Sequence, residues 1–157
     1  KEQGHDKVVS AKSCDTIEEF LKLADIISIN AKLNNETNSL VNKNFIKKMK
    51  KDSYLINTAR GKIVEDLDHF IDPIKSGKIS GIALDVLPDE PPSKDSLLIK
   101  SWKNNEEWVL GKVMINPHTG YYSQEAYFEM RQKAAQNAKR IIQNLKPYSI
   151  VLDIDNK

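Results

Sequence analysis

The sequence predicts an α/β fold in which a parallel sheet is flanked by helices. Short apolar, β-branched runs alternate with segments whose apolar residues recur every three to four positions, and such alternation joins parallel strands through helical crossovers. At 157 residues, 39% of them apolar, the chain can bury one core without disulfide or metal staples.

The elements follow in order. Val8 and Val9 suggest a short strand. Asp15 or Thr16 then caps a helix, with Thr16 and Glu19 in capping-box spacing and Ile17, Phe20, Leu21 and Leu23 as its apolar face. Residues 25–30 (DIISIN) read as a compact buried strand. A polar loop leads to a helix near residues 43–50, whose five lysines between Lys43 and Lys51 alternate with Phe45, Ile46 and Met49. That spacing is the solvated face of an amphipathic helix. Residues 54–57 form the next strand, and a helix is predicted from about Asp66 to Lys75. Pro73 kinks or shortens it, and Ser76-Gly77 stops it. Asp66, Asp68 and Asp72 suit its first turns, where the helix dipole favours negative charge.

Residues 79–86 are apolar enough for a strand covered on both faces. Residues 87–111 read as irregular, with Pro88, Pro91 and Pro92. The tryptophans of the insertion at 93–111, Trp102 and Trp108, are expected to be packing or interface anchors. Residues 113–116 are the last strand. Ser123 caps a long helix with apolar positions Ala126, Met130, Ala134, Ala138, Ile141 and Leu145, and Pro147 is expected to end it.

Composition narrows the function. A net charge of +2 provides no basic field for nucleic acid. No apolar run approaches the ~18 residues of a membrane span, and the N-terminus lacks a signal-peptide layout. Cys14 is the sole cysteine, which suits a reducing, cytoplasmic location. His5 and His69 have no third ligand at metal spacing, so no metal site is expected.

The chemically capable residues follow the strands. Ala31-Lys32 follows the first, Thr58-Ala59-Arg60-Gly61 the second, Asp85 through Glu90 the third, and Pro117-His118-Thr119-Gly120 the fourth. In a parallel sheet these positions share the carboxyl edge, where ligands bind. An arginine presents a planar fork for a carboxylate. A histidine transfers protons near neutral pH. A carboxylate beside the imidazole fixes its tautomer and favours the imidazolium. The set suits reduction of a carbonyl next to a carboxylate.

Three ordered motifs carry a family resemblance. Asn57-Thr58-Ala59-Arg60-Gly61 with Ile63-Val64-Glu65 resembles the arginine motif of the D-isomer-specific 2-hydroxyacid dehydrogenases. The run from Ser76-Gly77 to Asp85-Val86, with Glu90-Pro91, resembles their glutamate motif, and Asn116-Pro117-His118 their histidine motif. Residues 121–135 are most similar to the branch that includes the carboxyl-terminal binding proteins. The resemblance implies a partial Rossmann-like sheet, incomplete at its N-terminal side. It also implies that residues 1–146 are the C-terminal portion of a dinucleotide-binding domain, and that 147–157 begin a return segment toward a missing substrate domain.

By the same resemblance, Arg60 would bind the substrate carboxylate and polarise its carbonyl. His118 would exchange the proton and Glu90 would pair with His118. Ala31, Thr58, Ala59, Arg60, Asp85, His118 and Gly120 would line NAD. The implied protein transfers hydride between NAD(H) and a small 2-hydroxy or 2-keto acid and works as a homodimer. The alternatives are an NAD-sensing or corepressor-like protein on the same fold, or an inactive truncated product.

The chain departs from the family in places. Asn30-Ala31-Lys32 stands where the family has His-x-Pro. The arginine-to-glutamate segment is one residue longer. No G-x-G-x-x-G follows a strand, and no acidic residue is placed for the adenosine ribose. The expectation is therefore a fragment that binds NAD weakly or not at all and turns nothing over alone.

Overall fold

The structure is a computed structural model and describes residues 11–150. Gly4, His5 and the strand expected at Val8 and Val9 lie outside the described residues, as do residues 151–157. The chain divides into two compact units, one through His118 and one from Thr119 onward.

The first unit is built on four parallel strands in sequential order: β1 (Ile26–Ile29), β2 (Ser53–Asn57), β3 (Ile79–Leu84) and β4 (Val113–Ile115). The register aligns Ile27 with Leu55, Leu55 with Ile82 and Ile82 with Val113, and all four are buried. The alternate row faces the other way, with Ile26 61%, Tyr54 47% and Met114 62% exposed. The expectation that residues 25–30 form a compact buried strand is therefore corrected. β1 lies at an edge of the described sheet, with burial alternating along its length. β3, a central strand, is buried or half-buried throughout.

Helix α1 (Ile17–Leu23) begins at Thr16, whose hydroxyl accepts the Glu19 amide hydrogen at 3.1 Å. The Glu19 carboxylate reaches back to the Asp15 amide at 3.3 Å, close to the predicted capping box. Of its apolar face only Leu21 is buried; Ile17, Phe20 and Leu23 are exposed. Helix α2 (Lys43–Lys48) is capped by Asn42. It buries Phe45 and Ile46, with Met49 just beyond, and leaves Lys43, Lys47, Lys50 and Lys51 in solvent.

The helix predicted over 66–75 is split. A 3-10 turn (Leu67–Phe70) is followed by α3 (Ile71–Lys75). Pro73 is the third residue of α3, within the first turn, where its missing N–H has no intrahelical acceptor to lose.

The region expected to be irregular contains a helix, α4 (Leu97–Lys103). Ser96 caps it locally, its hydroxyl accepting the Ile99 amide hydrogen at 3.3 Å, and the first turn is also held from far along the chain. Asp68 accepts hydrogen bonds from the Leu97 amide at 3.0 Å, the Leu98 amide at 2.9 Å and the Ser96 hydroxyl at 2.8 Å. Leu98 and Ile99 then enter the core. Trp102 and Trp108 are half-buried against that core. The Trp108 indole donates to Glu106 at 2.7 Å, and the Lys75 ammonium sits 4.7 Å from its ring centre.

The second unit contains α5 (Gln124–Ile142), capped by Ser123, whose hydroxyl accepts the Ala126 amide hydrogen at 3.0 Å. Its end is set before Pro147, contrary to expectation. Asn144 adopts φ 56°, and the bonds from Leu145 N–H to Arg140 O (2.8 Å) and Asn144 N–H to Ile141 O (3.0 Å) form a Schellman closure.

Candidate active site

The carboxyl ends of all four strands share one edge. Asn57 closes β2 and is fully buried. A buried amide must be satisfied, and Asn57 satisfies its own on the loop that follows. Its Oδ1 accepts the Ala59 amide hydrogen at 3.0 Å, and its Nδ2 donates to the Arg60 carbonyl at 3.0 Å. The turn so formed leaves Thr58 and Arg60 exposed and Ala59 half-buried. The Arg60 guanidinium donates to the Ala59 carbonyl at 2.7 Å.

Gly61 joins this loop to the next. A Cβ at Gly61 would lie 1.8 Å from the Leu87 carbonyl oxygen, so no larger residue allows this approach. The Asp85 amide donates to the Asn57 carbonyl at 3.0 Å, which extends the pairing of β2 and β3 beyond the strands. The Leu87 amide donates to Glu90 Oε1 at 2.9 Å, and Glu90 Oε2 lies 2.9 Å from His118 Nδ1. The hydrogen bond from His118 holds the Glu90 carboxyl below its ordinary value. The Leu87 amide adds to this against the opposing effects of burial and Asp85.

His118 is delivered by β4. The Asn116 amide continues the ladder to the Leu84 carbonyl at 2.9 Å, and Pro117 leads to His118 at φ 54°. A residue with a side chain pays about 1–2 kcal/mol in this left-handed region, and such conformations cluster at functional sites.

Glu90 and His118 are thus in direct contact. Arg60 is carried on a loop packed against Leu87, the residue whose amide holds Glu90. Asp85, 6% exposed, follows β3 directly, and Ala31, half-buried against the core, lies just beyond β1. Gly120 belongs to the second unit. His69 lies with its Nδ1 3.4 Å from Glu65 and makes no hydrogen bond there. Among the described residues no group of three or more His, Cys, Asp or Glu could hold a metal. Sequence reasoning missed the parts played by Asn57, Gly61 and the Leu87 amide. The available signal was a polar residue ending an apolar strand four positions before a glycine.

The family described as D-isomer specific 2-hydroxyacid dehydrogenase, NAD binding domain, matches residues 1–120. The chain belongs to this family. It is 36% identical over 140 residues to glyoxylate reductase 1 of Saccharomyces cerevisiae, covering 89% of this chain and 37% of that protein. The crystal structure of apo D-mandelate dehydrogenase from Rhodotorula graminis superposes with a TM-score of 0.79 at 25% identity, covering 98% of this chain and 42% of that one. D-lactate dehydrogenase from Aquifex aeolicus, solved with NAD and lactic acid, gives a TM-score of 0.70 at 29% identity, covering 89% of this chain and 44% of that one. The chain therefore spans roughly two fifths of the length of these relatives.

Proposed function

We propose that this chain carries the substrate-anchoring and proton-transfer groups of an NAD-dependent 2-hydroxyacid dehydrogenase. The observation that carries the reading is the Glu90–His118 contact at 2.9 Å, on the strand edge that also bears Arg60. Arg60 binds the carboxylate of the 2-keto acid bidentately and draws electron density from the neighbouring carbonyl. Glu90 engages His118 through Nδ1, which leaves Nε2 as the nitrogen that passes a proton to the carbonyl oxygen and takes it back in oxidation. Glu90 itself is held by the Leu87 amide, so the imidazole is oriented by a fixed carboxylate.

NAD supplies or accepts the hydride when bound. Buried Asp85 and exposed Thr58, both following strands, suit the carboxamide and ribose hydroxyls of such a cofactor, with Ala31 and Ala59 lining it. The whole protein works as a cytoplasmic homodimer. The lone Cys14 is in keeping with that compartment, and no helix among the described residues is long and apolar enough to cross a membrane.

The test is titration of the isotope-labelled chain with pyruvate, followed by amide chemical shifts. Shifts centred on residues 58–61, 85–90 and 116–118, lost in Arg60→Gln, support the reading. Shifts elsewhere, or none, defeat it. NADH fluorescence titration of the isolated chain should give binding weaker than micromolar, because no phosphate-cradling glycine loop is recognisable in its sequence.

A further inference from the structure

Asn57 joins the most rigid part of the first unit to the exposed arginine. Its main chain belongs to the sheet, opposite Ile29 in β1 and Leu84 in β3, and its carbonyl accepts the Asp85 amide hydrogen at 3.0 Å. Its side chain is fully buried and grips the following loop at two points. Oδ1 accepts the Ala59 amide hydrogen and Nδ2 donates to the Arg60 carbonyl, each at 3.0 Å. The Arg60 carbonyl also accepts the Ile63 amide hydrogen at 3.3 Å, so both of its lone pairs are engaged. Arg60, in extended backbone at φ -144° and ψ 138°, is therefore held one residue before its Cα and again at its own carbonyl.

The Arg60 side chain is bound to the same loop. Its guanidinium donates to the Ala59 carbonyl at 2.7 Å, and Ala59 is the residue whose amide Asn57 holds. A long, exposed side chain samples many rotamers, and ordering it on binding lowers affinity. A side chain already placed by a rigid element carries less of that cost. The bridge needs one acceptor and one donor on a single planar group, which an asparagine amide provides. Aspartate lacks the donor, and a serine hydroxyl is too short to span both points. We infer that Asn57 is the positioning residue of Arg60, passing the rigidity of the sheet to the guanidinium so that it is ordered before an anionic ligand arrives. The effect on substrate affinity rests on the reading that Arg60 takes the substrate carboxylate.

The experiment is nitrogen relaxation of Arg60 Nε in the labelled chain, with a pyruvate titration, for the wild type, Asn57→Ser and Ile82→Val. In the wild type the Nε order parameter should exceed about 0.6, the boundary of flexible behaviour. Asn57→Ser keeps an acceptor for the Ala59 amide and loses the bond to the Arg60 carbonyl. It should lower the order parameter below about 0.6 and weaken pyruvate binding about tenfold. Ile82→Val trims the core of β3 away from the site and should leave both readouts unchanged. Should Asn57→Ser not fold, Asn57→Asp carries the same expectation. A mobile Arg60 in the wild type, an unchanged order parameter in the Asn57 variant, or an equal loss in Ile82→Val overturns the inference. If Arg60 is ordered and then loosened while pyruvate shifts nothing in the wild type, the positioning role stands and the substrate-carboxylate reading falls. If pyruvate binds the wild type and the Asn57 variant equally, the positioning role falls and that reading stands.

Discussion

The helices of the first unit and the long helix of the second are built on opposite principles. Helices α2, α3 and α4 have 6, 5 and 7 residues, and each drives one or two apolar side chains into the core. Helix α5 has 19 residues and none is buried. Short helices are unstable on their own because nucleation costs more than a few hydrogen bonds return, so α2 to α4 exist through burial. Helix α5 is held by local devices. These are the Ser123 cap, the Glu129–Lys133 ion pair one turn apart, the Arg131 guanidinium 3.8 Å from the Tyr127 ring centre, and the Asn144 closure. Its end is tied to the following segment by Asn137, which binds the Tyr148 amide at 2.8 Å and carbonyl at 3.1 Å. The same apolar periodicity therefore has two outcomes, and only packing distinguishes them.

Matched truncations test this contrast most strongly. Phe70 is fully buried and Phe128 is 68% exposed. Phe70→Ala should cost about 3–5 kcal/mol in urea unfolding, whereas Phe128→Ala should stay within about 0.5 kcal/mol. Similar losses from both would break the comparison.

A smaller effect is expected at Gly61. A methyl group there collides with the Leu87 carbonyl, so Gly61→Ala should destabilise the first unit by about 1–3 kcal/mol. It should also shift the Leu87 and Glu90 amide resonances, and unchanged resonances would show that the two loops are not in contact.

Asp68 comes next. Burial pushes its carboxyl up, and the Leu98 and Leu97 amides with the Ser96 hydroxyl more than offset this, leaving it below its ordinary value. Asp68→Ala removes these bonds to the first turn of α4, leaving the Ser96 cap, and should cost about 1–2 kcal/mol. Hydrogen exchange should show the loss concentrated at residues 96–99, and uniform loss across the sheet would contradict a local cap.

The smallest effect is electrostatic. Glu90 has a depressed folded value, so its pairing contributes above the ordinary carboxylate range and is lost as pH falls through the depressed one. The Glu90 carboxyl carbon, followed by NMR, should titrate below an ordinary glutamate. His118→Ala should return it toward normal. A midpoint indifferent to that change would show that His118 is not its main partner.

Much of the fold was legible because it is written in local chemistry. The strand cores, the Thr16 and Ser123 caps and the solvated lysines of α2 depend on residues a few positions apart. The site was legible only as far as strand ends can be read. Parallel strands bring Arg60, Glu90 and His118 to one edge, but contact between Glu90 and His118 across 28 residues is a matter of loop path. Helix α4 has a local cap in Ser96, but its first turn is also fixed by Asp68, 28 residues before, and the split at Ile71 accompanies the burial of Phe70 and Ile74.

By itself the sequence determined the order of the main strands and helices and the residue types suited to keto-acid chemistry. These follow from periodicity and side-chain chemistry, which need no partner distant in the chain. Tertiary structure alone decided which apolar faces are covered and how Gly61 and Leu87 bring two loops together. It also decided which carboxylates serve as partners for histidine and which as caps. Those outcomes depend on close approach between segments far apart in sequence, and nothing local encodes a distance.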